Sequence, residues 1–238
     1  KWLRRDANSR SREYLTTARV VHDLLTAAAA ANYDLLAYTP TVDRDGFDLI
    51  LDDRDRLVPL QLKSVIKGGR AQSWSIHRHL LRPERHEVEL FGFEPSPSGH
   101  GRGGGVLLIT LTPSEAQIDV TYRYTDISVL SALWLGLFRL PKGSVQTLQR
   151  LRVALEAEPA GAVALPRSAF LTARTPEHLL TLAGLQSRTT TGVWPRYLHL
   201  LLEQENLSDA PPLPAPEHVL RADLKACLSQ LVTERLAT

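Results

Sequence analysis

The sequence predicts an α/β chain in which one long helix leads into a mixed sheet and a run of helices closes the molecule. Three observations point there. Apolar residues recur at helical spacing behind the opening serines, paired apolar runs follow across the first half, and from Ile127 onward the period turns helical. Strands gathered in one half and helices in the other suggest two units, with boundaries at 1–126 and 127–238.

Helix one is expected to start near Ser9 or Ser11, both good N-caps, and to run to about Ala31. Tyr14, Ala18, Val21, Leu25 and Ala28 form its expected buried stripe. Asn32 suits the left-handed position after a helix, and Tyr33 to Thr39 reads as a strand that Pro40 ends. The runs Phe47–Leu51 and Leu57–Val65, parted by Asp52, Asp53, Arg54, Asp55 and Arg56, predict a hairpin. Further strands are expected around Trp74–His77, Val106–Leu111 and Gln117–Tyr124, with a loop over Pro95–Gly105. Helices are expected over 127–139, 144–157, 176–184, 193–206 and 217–236, and Ala210–Pro216 (APPLPAP) reads as a stiff spacer.

Composition narrows the functional classes. With 43% apolar residues, 238 residues can bury a full core. No stretch approaches the ~18 apolar residues of a membrane span, and no signal-peptide pattern opens the chain, so a cytoplasmic location without a membrane partner is expected. The lone Cys227 excludes an internal disulfide framework and a cysteine-rich zinc site, and it sits among leucines as packing does. Net charge is only +2, but residues 61–102 hold seven lysines and arginines against four glutamates, while residues 103–238 balance twelve against twelve. The basic excess suits an anionic partner at that segment, although a solvated face would read the same. The run GHGRGGG leads into a strand where a phosphate loop must lead into a helix, so nucleotide binding is rejected there.

The hairpin carries the chemical argument. A two-residue loop at Arg54–Asp55 or a four-residue loop over Asp53–Arg56 gives one register, pairing 49 with 60 and 50 with 59. Asp48 then stands opposite Gln61, with Cβ atoms about 5 Å apart, and Lys63 shares the face of Gln61. A carboxylate, an amide oxygen and an ammonium on one patch suit a hard divalent cation, with the Leu62 carbonyl and waters completing its shell. An ordinary surface ion pair between Asp48 and Lys63 is the competing reading.

The segment DGFDLILDDRDRLVPLQLKS resembles the signature of the PD-(D/E)XK nucleases, in a variant with Gln at the acid position. The upstream SREYL resembles the helix that carries a further Glu in many members. The resemblance runs over residues 9–125 and implies a restriction-endonuclease-like mixed sheet flanked by helices. It implies Asp48, Gln61, Lys63 and Glu13 as catalytic residues, Asp48, Gln61 and Leu62 at a magnesium or manganese ion, and DNA as the substrate of an endonuclease. Phe47 replaces the Pro of the motif, and Gln61 removes one negative charge. Glu13 has a simpler reading as an acid favoured by the helix dipole in a first turn.

Around this core, WSIHRHLLRPER offers His77, Arg78, His79 and Arg82 for phosphate contacts. Residues 175–206 resemble a helix-turn-helix with Gly184 in the turn, which would bring Arg188, Thr189, Thr190, Arg196 and His199 to DNA; two helices of an ordinary bundle compete with that. Two further classes stay open. One is a non-catalytic DNA-binding module on a nuclease fold. The other is a protein-interaction or homodimer scaffold using Leu220, Leu224, Cys227 and Leu231 on the final helix.

Overall fold

The computed structural model describes residues 3, 5–40, 46–94, 101–114, 117–138, 140, 142–157 and 160–185, with 194, 195, 198, 199, 202 and 203 beyond them. Helix α1 covers Ser9–Ala30, with Asn8 at its N-cap, and Asn32 takes the left-handed conformation (φ 52°) that frees the chain to turn. The strands β1 (Leu36–Tyr38), β2 (Leu49–Asp52) and β3 (Leu57–Ile66) then form an antiparallel meander. β4 (Ser73–His77) lies in the crossover from β3 to β5 (Gly105–Pro113), which runs parallel beside β3. β6 (Ile118–Asp126) returns antiparallel to β5.

Helices α2 (Ile127–Trp134) and α3 (Ser144–Ala157) follow, α3 with the expected bounds and α2 stopping short of the expected 139. The next segment does not. β7 (Ala162–Pro166) pairs with β4 in a two-stranded sheet, and β8 (Leu171–Ala173) joins the main sheet against β6. The main sheet therefore runs β1-β2-β3-β5-β6-β8, and α4 (Pro176–Leu182) comes after it. The expectation of an all-helical region after residue 126 is corrected at 162–173. Two strands of five and three residues among leucine-rich helices carry too little local signal, and pairing with distant strands decides their state.

Side-chain alternation sorts the main sheet into two faces. Leu49, Leu51, Val58, Leu60, Leu107, Ile109, Tyr122 and Tyr124 share one face by register. α1 packs on it, and the Tyr122 hydroxyl donates to Asp23 of that helix at 2.7 Å. Arg19 holds the same carboxylate through two contacts at 2.8 and 2.9 Å. Pro59, Gln61, Lys63, Val106 and Leu108 share the other face, which β4 and the 3-10 turn Arg78–Leu81 approach.

The buried stripe of α1 is Thr16, Val20, Leu24, Ala27 and Ala28, one step round from the expected one. Tyr14 is 75% exposed and Leu25 is exposed. Val20 and Leu24 stand next to Val21 and Leu25, so two stripes share the same period and contact with the sheet selects between them. Among the described residues, no helix is long and apolar enough to cross a membrane.

Candidate functional site

The β2–β3 register is the expected one, Leu49 with Leu60 and Ile50 with Pro59. Asp48 departs from it. Its N–H donates to the Leu60 carbonyl at 2.8 Å, although Leu60 already stands opposite Leu49. Two consecutive residues therefore face one partner, as at a β-bulge. The Asp48 carboxylate accepts the Leu62 N–H at 2.7 Å, standing where the ladder would otherwise offer a main-chain carbonyl. Gly46, two residues earlier, has φ 74°, a conformation that favours glycine.

The exposed Asp48 borders a cleft of about 720 Å³ between α1 and the start of β2. Glu13, Arg10, His22 and the apolar Tyr14, Val21 and Phe47 line it too. Glu13 is exposed and accepts a hydrogen bond from Ser9 Oγ at 3.3 Å. The helix begins at Ser9, so Glu13 stands beyond the first turn and the dipole reading of this acid is set aside. The fold thus brings Asp48 and Glu13 to one cleft.

Gln61 and Lys63 share the sheet face opposite Leu60 and Leu107. Gln61 is 7% exposed, and its Oε1 accepts the His77 N–H at 3.4 Å, beneath β4. Lys63 is half-buried on that same face, away from α1. The residues of the expected patch thus meet β3 and β4 by two routes, the Asp48 carboxylate at the Leu62 N–H and the Gln61 amide at the His77 N–H. The irregular pairing at Asp48 turns its carboxylate along the β3 backbone, and β4 covers the Gln61 amide that the hairpin pattern had left open.

The basic segment divides in the same way. The rings of His77 and His79 lie 5.7 Å apart, but β4 ends at His77 and His79 belongs to the following 3-10 turn. Arg78 donates from Nη2 to the Ala162 carbonyl at 3.3 Å. Arg82 is 3% exposed and donates to the carbonyls of Leu155 and Glu156, capping the end of α3, with its guanidinium 5.3 Å from the Phe93 ring. Burial, with Arg78 nearby, pushes its pKa down. Arg82 is therefore corrected from phosphate contact to structural cap, a role hidden in sequence because α3 lies some seventy residues away.

In the helix-turn-helix region, Arg188, Thr189, Thr190 and Arg196 lie outside the described residues, as does the final helix with its docking surface. His199 stands 3.6 Å from Glu87 and packs edge-on against Phe91, both in the crossover between β3 and β5. Burial lowers its pKa, with Glu87 opposing. Trp194 is buried and donates to the Thr181 carbonyl at 2.7 Å, which anchors this segment to α4.

A second acidic centre escaped the sequence reading. Asp126 is 1% exposed, accepts from Tyr124 at 3.0 Å, caps α2 by accepting the Val129 N–H at 2.7 Å, and lies 3.9 Å from Arg56. Burial raises its pKa, against the opposing pull of Arg56. An Asp directly before a helix is a capping signal, so the residue was legible; its burial was not. Arg56 also lines a cleft of about 420 Å³ with Glu84, His86, Glu87 and His199.

Among the described residues, no three His, Cys, Asp or Glu side chains are grouped to hold a metal ion. The two carboxylates at the α1 cleft still fit magnesium, which commonly takes one or two protein carboxylates and fills its remaining positions with water and phosphate oxygens. No protein-family model, curated protein or solved structure matches this chain.

Proposed function

We propose that the chain is a magnesium- or manganese-dependent nuclease of the PD-(D/E)XK kind that hydrolyses phosphodiester bonds in DNA. The observation that carries this reading is the position of Asp48 within the element order. A helix precedes a three-stranded meander, a crossover brings β5 parallel beside β3, and Asp48 opens β2 at a cleft it shares with Glu13 of that helix. This order supports a restriction-endonuclease-like core.

In this reading Asp48 and Glu13 hold the cation. Bound there, a divalent ion supplies charge to the scissile phosphate and lowers the pKa of a water nucleophile. The Leu62 N–H fixes the Asp48 carboxylate from behind. Arg10, in the same cleft, supplies positive charge toward the DNA backbone. Lys63 leaves β3 on the face it shares with Gln61. The reading is tested by incubating duplex, branched and single-stranded DNA with the protein and magnesium or manganese. Cleavage that requires the metal and disappears in Asp48→Asn is expected. Metal-independent cleavage, or none on any substrate, sinks it.

The burial of Gln61 under β4 favours a second reading, a non-catalytic DNA-binding module on the same fold. Such a module binds DNA in the presence of a chelator and cleaves none of the three substrates.

A further inference from the structure

We infer that Gln61 is a positioning residue, which holds Asp48 in place through His77 and Gly46 and does not itself ligate the cation. The contacts form a continuous chain. The Gln61 side chain accepts the His77 N–H at 3.4 Å. The His77 ring fills the space over Gly46 so closely that a Cβ there would lie 2.0 Å from ring atom Cδ2. Gly46 carries the positive φ of 74° that turns the chain into Phe47 and Asp48. Asp48 in turn is tied to β3 by its N–H to Leu60 and by the Leu62 N–H to its carboxylate. β3 thus grips the aspartate twice, through its backbone on one side and through the Gln61 side chain by way of β4 on the other.

This chain also accounts for the residue type. A carboxylate at the buried position 61 would carry a desolvated charge, whereas an amide accepts the same N–H while neutral. Gln61 then marks a change of task at the acid position of the motif.

The inference rests on Asp48 being the metal-binding acid, so its test needs a readout that works without metal. The Leu62 amide provides one, because its proton sits on the Asp48 carboxylate and its hydrogen exchange reports where that carboxylate is. In the full chain, Gln61→Leu should speed exchange at Leu62 by about fivefold to tenfold, the effect of losing one hydrogen bond. Ile109, buried in the middle of β5, should keep its protection and so report an intact fold. Gly46→Ala, which must displace the His77 ring, should act in the same direction and should add little to Gln61→Leu in the double variant. Gln61→Glu should lower global stability through its desolvated charge, but it keeps an acceptor for the His77 N–H, so Leu62 exchange relative to Ile109 should stay close to wild type and calorimetric magnesium affinity should not rise.

Unchanged Leu62 exchange in Gln61→Leu overturns the inference. So does a gain of about tenfold or more in magnesium affinity in Gln61→Glu, which marks a direct ligand. If Gln61→Leu loses protection at Ile109, Gly46→Ala decides on the same criterion. A protein whose Leu62 exchange responds as described but which binds no magnesium removes the nuclease reading and leaves the contact chain standing.

Discussion

Asp48 and Asp126 are the same residue type at strand ends of one sheet, separated by β3 and β5, and they live in opposite circumstances. Asp126 is almost completely buried and surrounded by donors: the Tyr124 hydroxyl, the Val129 N–H and, slightly further off, Arg56. Asp48 is exposed, takes the Leu62 N–H from β3, and borders an open cleft with a second carboxylate. A carboxylate enclosed by donors is committed to holding the fold, since removing it strands several buried partners. One that faces solvent at a cleft lined by a second acid stands where a ligand can reach it. On the proposed function the first carboxylate serves structure and the second chemistry, and each half of that reading can be broken separately.

The largest expected effect is on the chemical side. Asp48→Asn keeps an acceptor for the Leu62 N–H but removes the charge that would hold a cation. Metal-dependent DNA cleavage should fall by about 10²–10³, the usual scale for losing one preorganised electrostatic group. The melting temperature should stay within a degree or two of wild type, because an exposed charge contributes little to stability. A large loss of stability together with activity would place Asp48 in the same class as Asp126.

Asp126→Ala is the mirror experiment. It removes the cap of α2, a change that costs about 1 kcal/mol by itself. It also leaves the buried Tyr124 hydroxyl without its acceptor and takes the opposite charge from beside Arg56, which brings the expected loss to roughly 2–4 kcal/mol. Urea denaturation measures this, and DNA cleavage below the unfolding transition should be unaffected. A stable but inactive variant would move Asp126, and the neighbouring Arg56 cleft, into the functional half of the comparison.

The sequence made some of this contrast readable. The even hairpin loop predicted the Leu49–Leu60 register, because strand pairing inherits its parity from the turn. It could not predict that Asp48 would slip out of that register, since one extra residue opposite Leu60 depends on what holds the chain before it. The Gln61 amide looked open for the same reason: β4 returns over it only because β7, nearly ninety residues further on, pairs with β4. Arg82 read as a surface cation until α3 offered its last carbonyls. Local pattern gave the strands and helices up to α3 and missed β7 and β8; the partners that decide these polar side chains come from far along the chain.

A third test uses pH to separate a partly buried acid, Asp23, from the buried Asp126, whose pKa shifts differ in sign. For Asp23, burial pushes the carboxyl up, but hydrogen bonds from Tyr122 and Arg19 overcome it and hold the pKa below the usual carboxylate value. A folded pKa below the unfolded one gives stability that is complete above the unfolded value of about 3.9 and is lost as pH falls through the folded one. Asp126 is raised by burial, so its contribution runs the other way: the folded state favours its protonated form, and stability is given up as pH rises through the folded pKa. Asp23→Asn should therefore flatten the acid limb of the stability curve. Asp126→Asn should cost least at high pH, where the wild-type charge is most expensive to bury. Parallel curves for the two variants would remove the electrostatic distinction.

The smallest effect is expected at Glu13, and it sharpens the functional half of the comparison. Glu13 lies on an exposed turn of α1, beyond the first turn where the dipole would favour an acid, with Ser9 as its hydrogen-bonding neighbour. Its distinguishing property is the cleft it shares with Asp48. Glu13→Gln keeps the acceptor for Ser9 and the length of the side chain, so folding should change by no more than about 0.5 kcal/mol. Magnesium would still have Asp48, water and phosphate oxygens around it, so the cost is one charged ligand among several. A loss of about threefold to tenfold in metal affinity is expected, recovered at higher magnesium, with cleavage at saturating metal much closer to wild type. Calorimetric titration with magnesium, with and without DNA, separates this from Asp48→Asn, which higher metal should not rescue. Unchanged affinity in Glu13→Gln would reduce the cleft to one functional carboxylate, and the contrast with Asp126 would then rest on Asp48 alone.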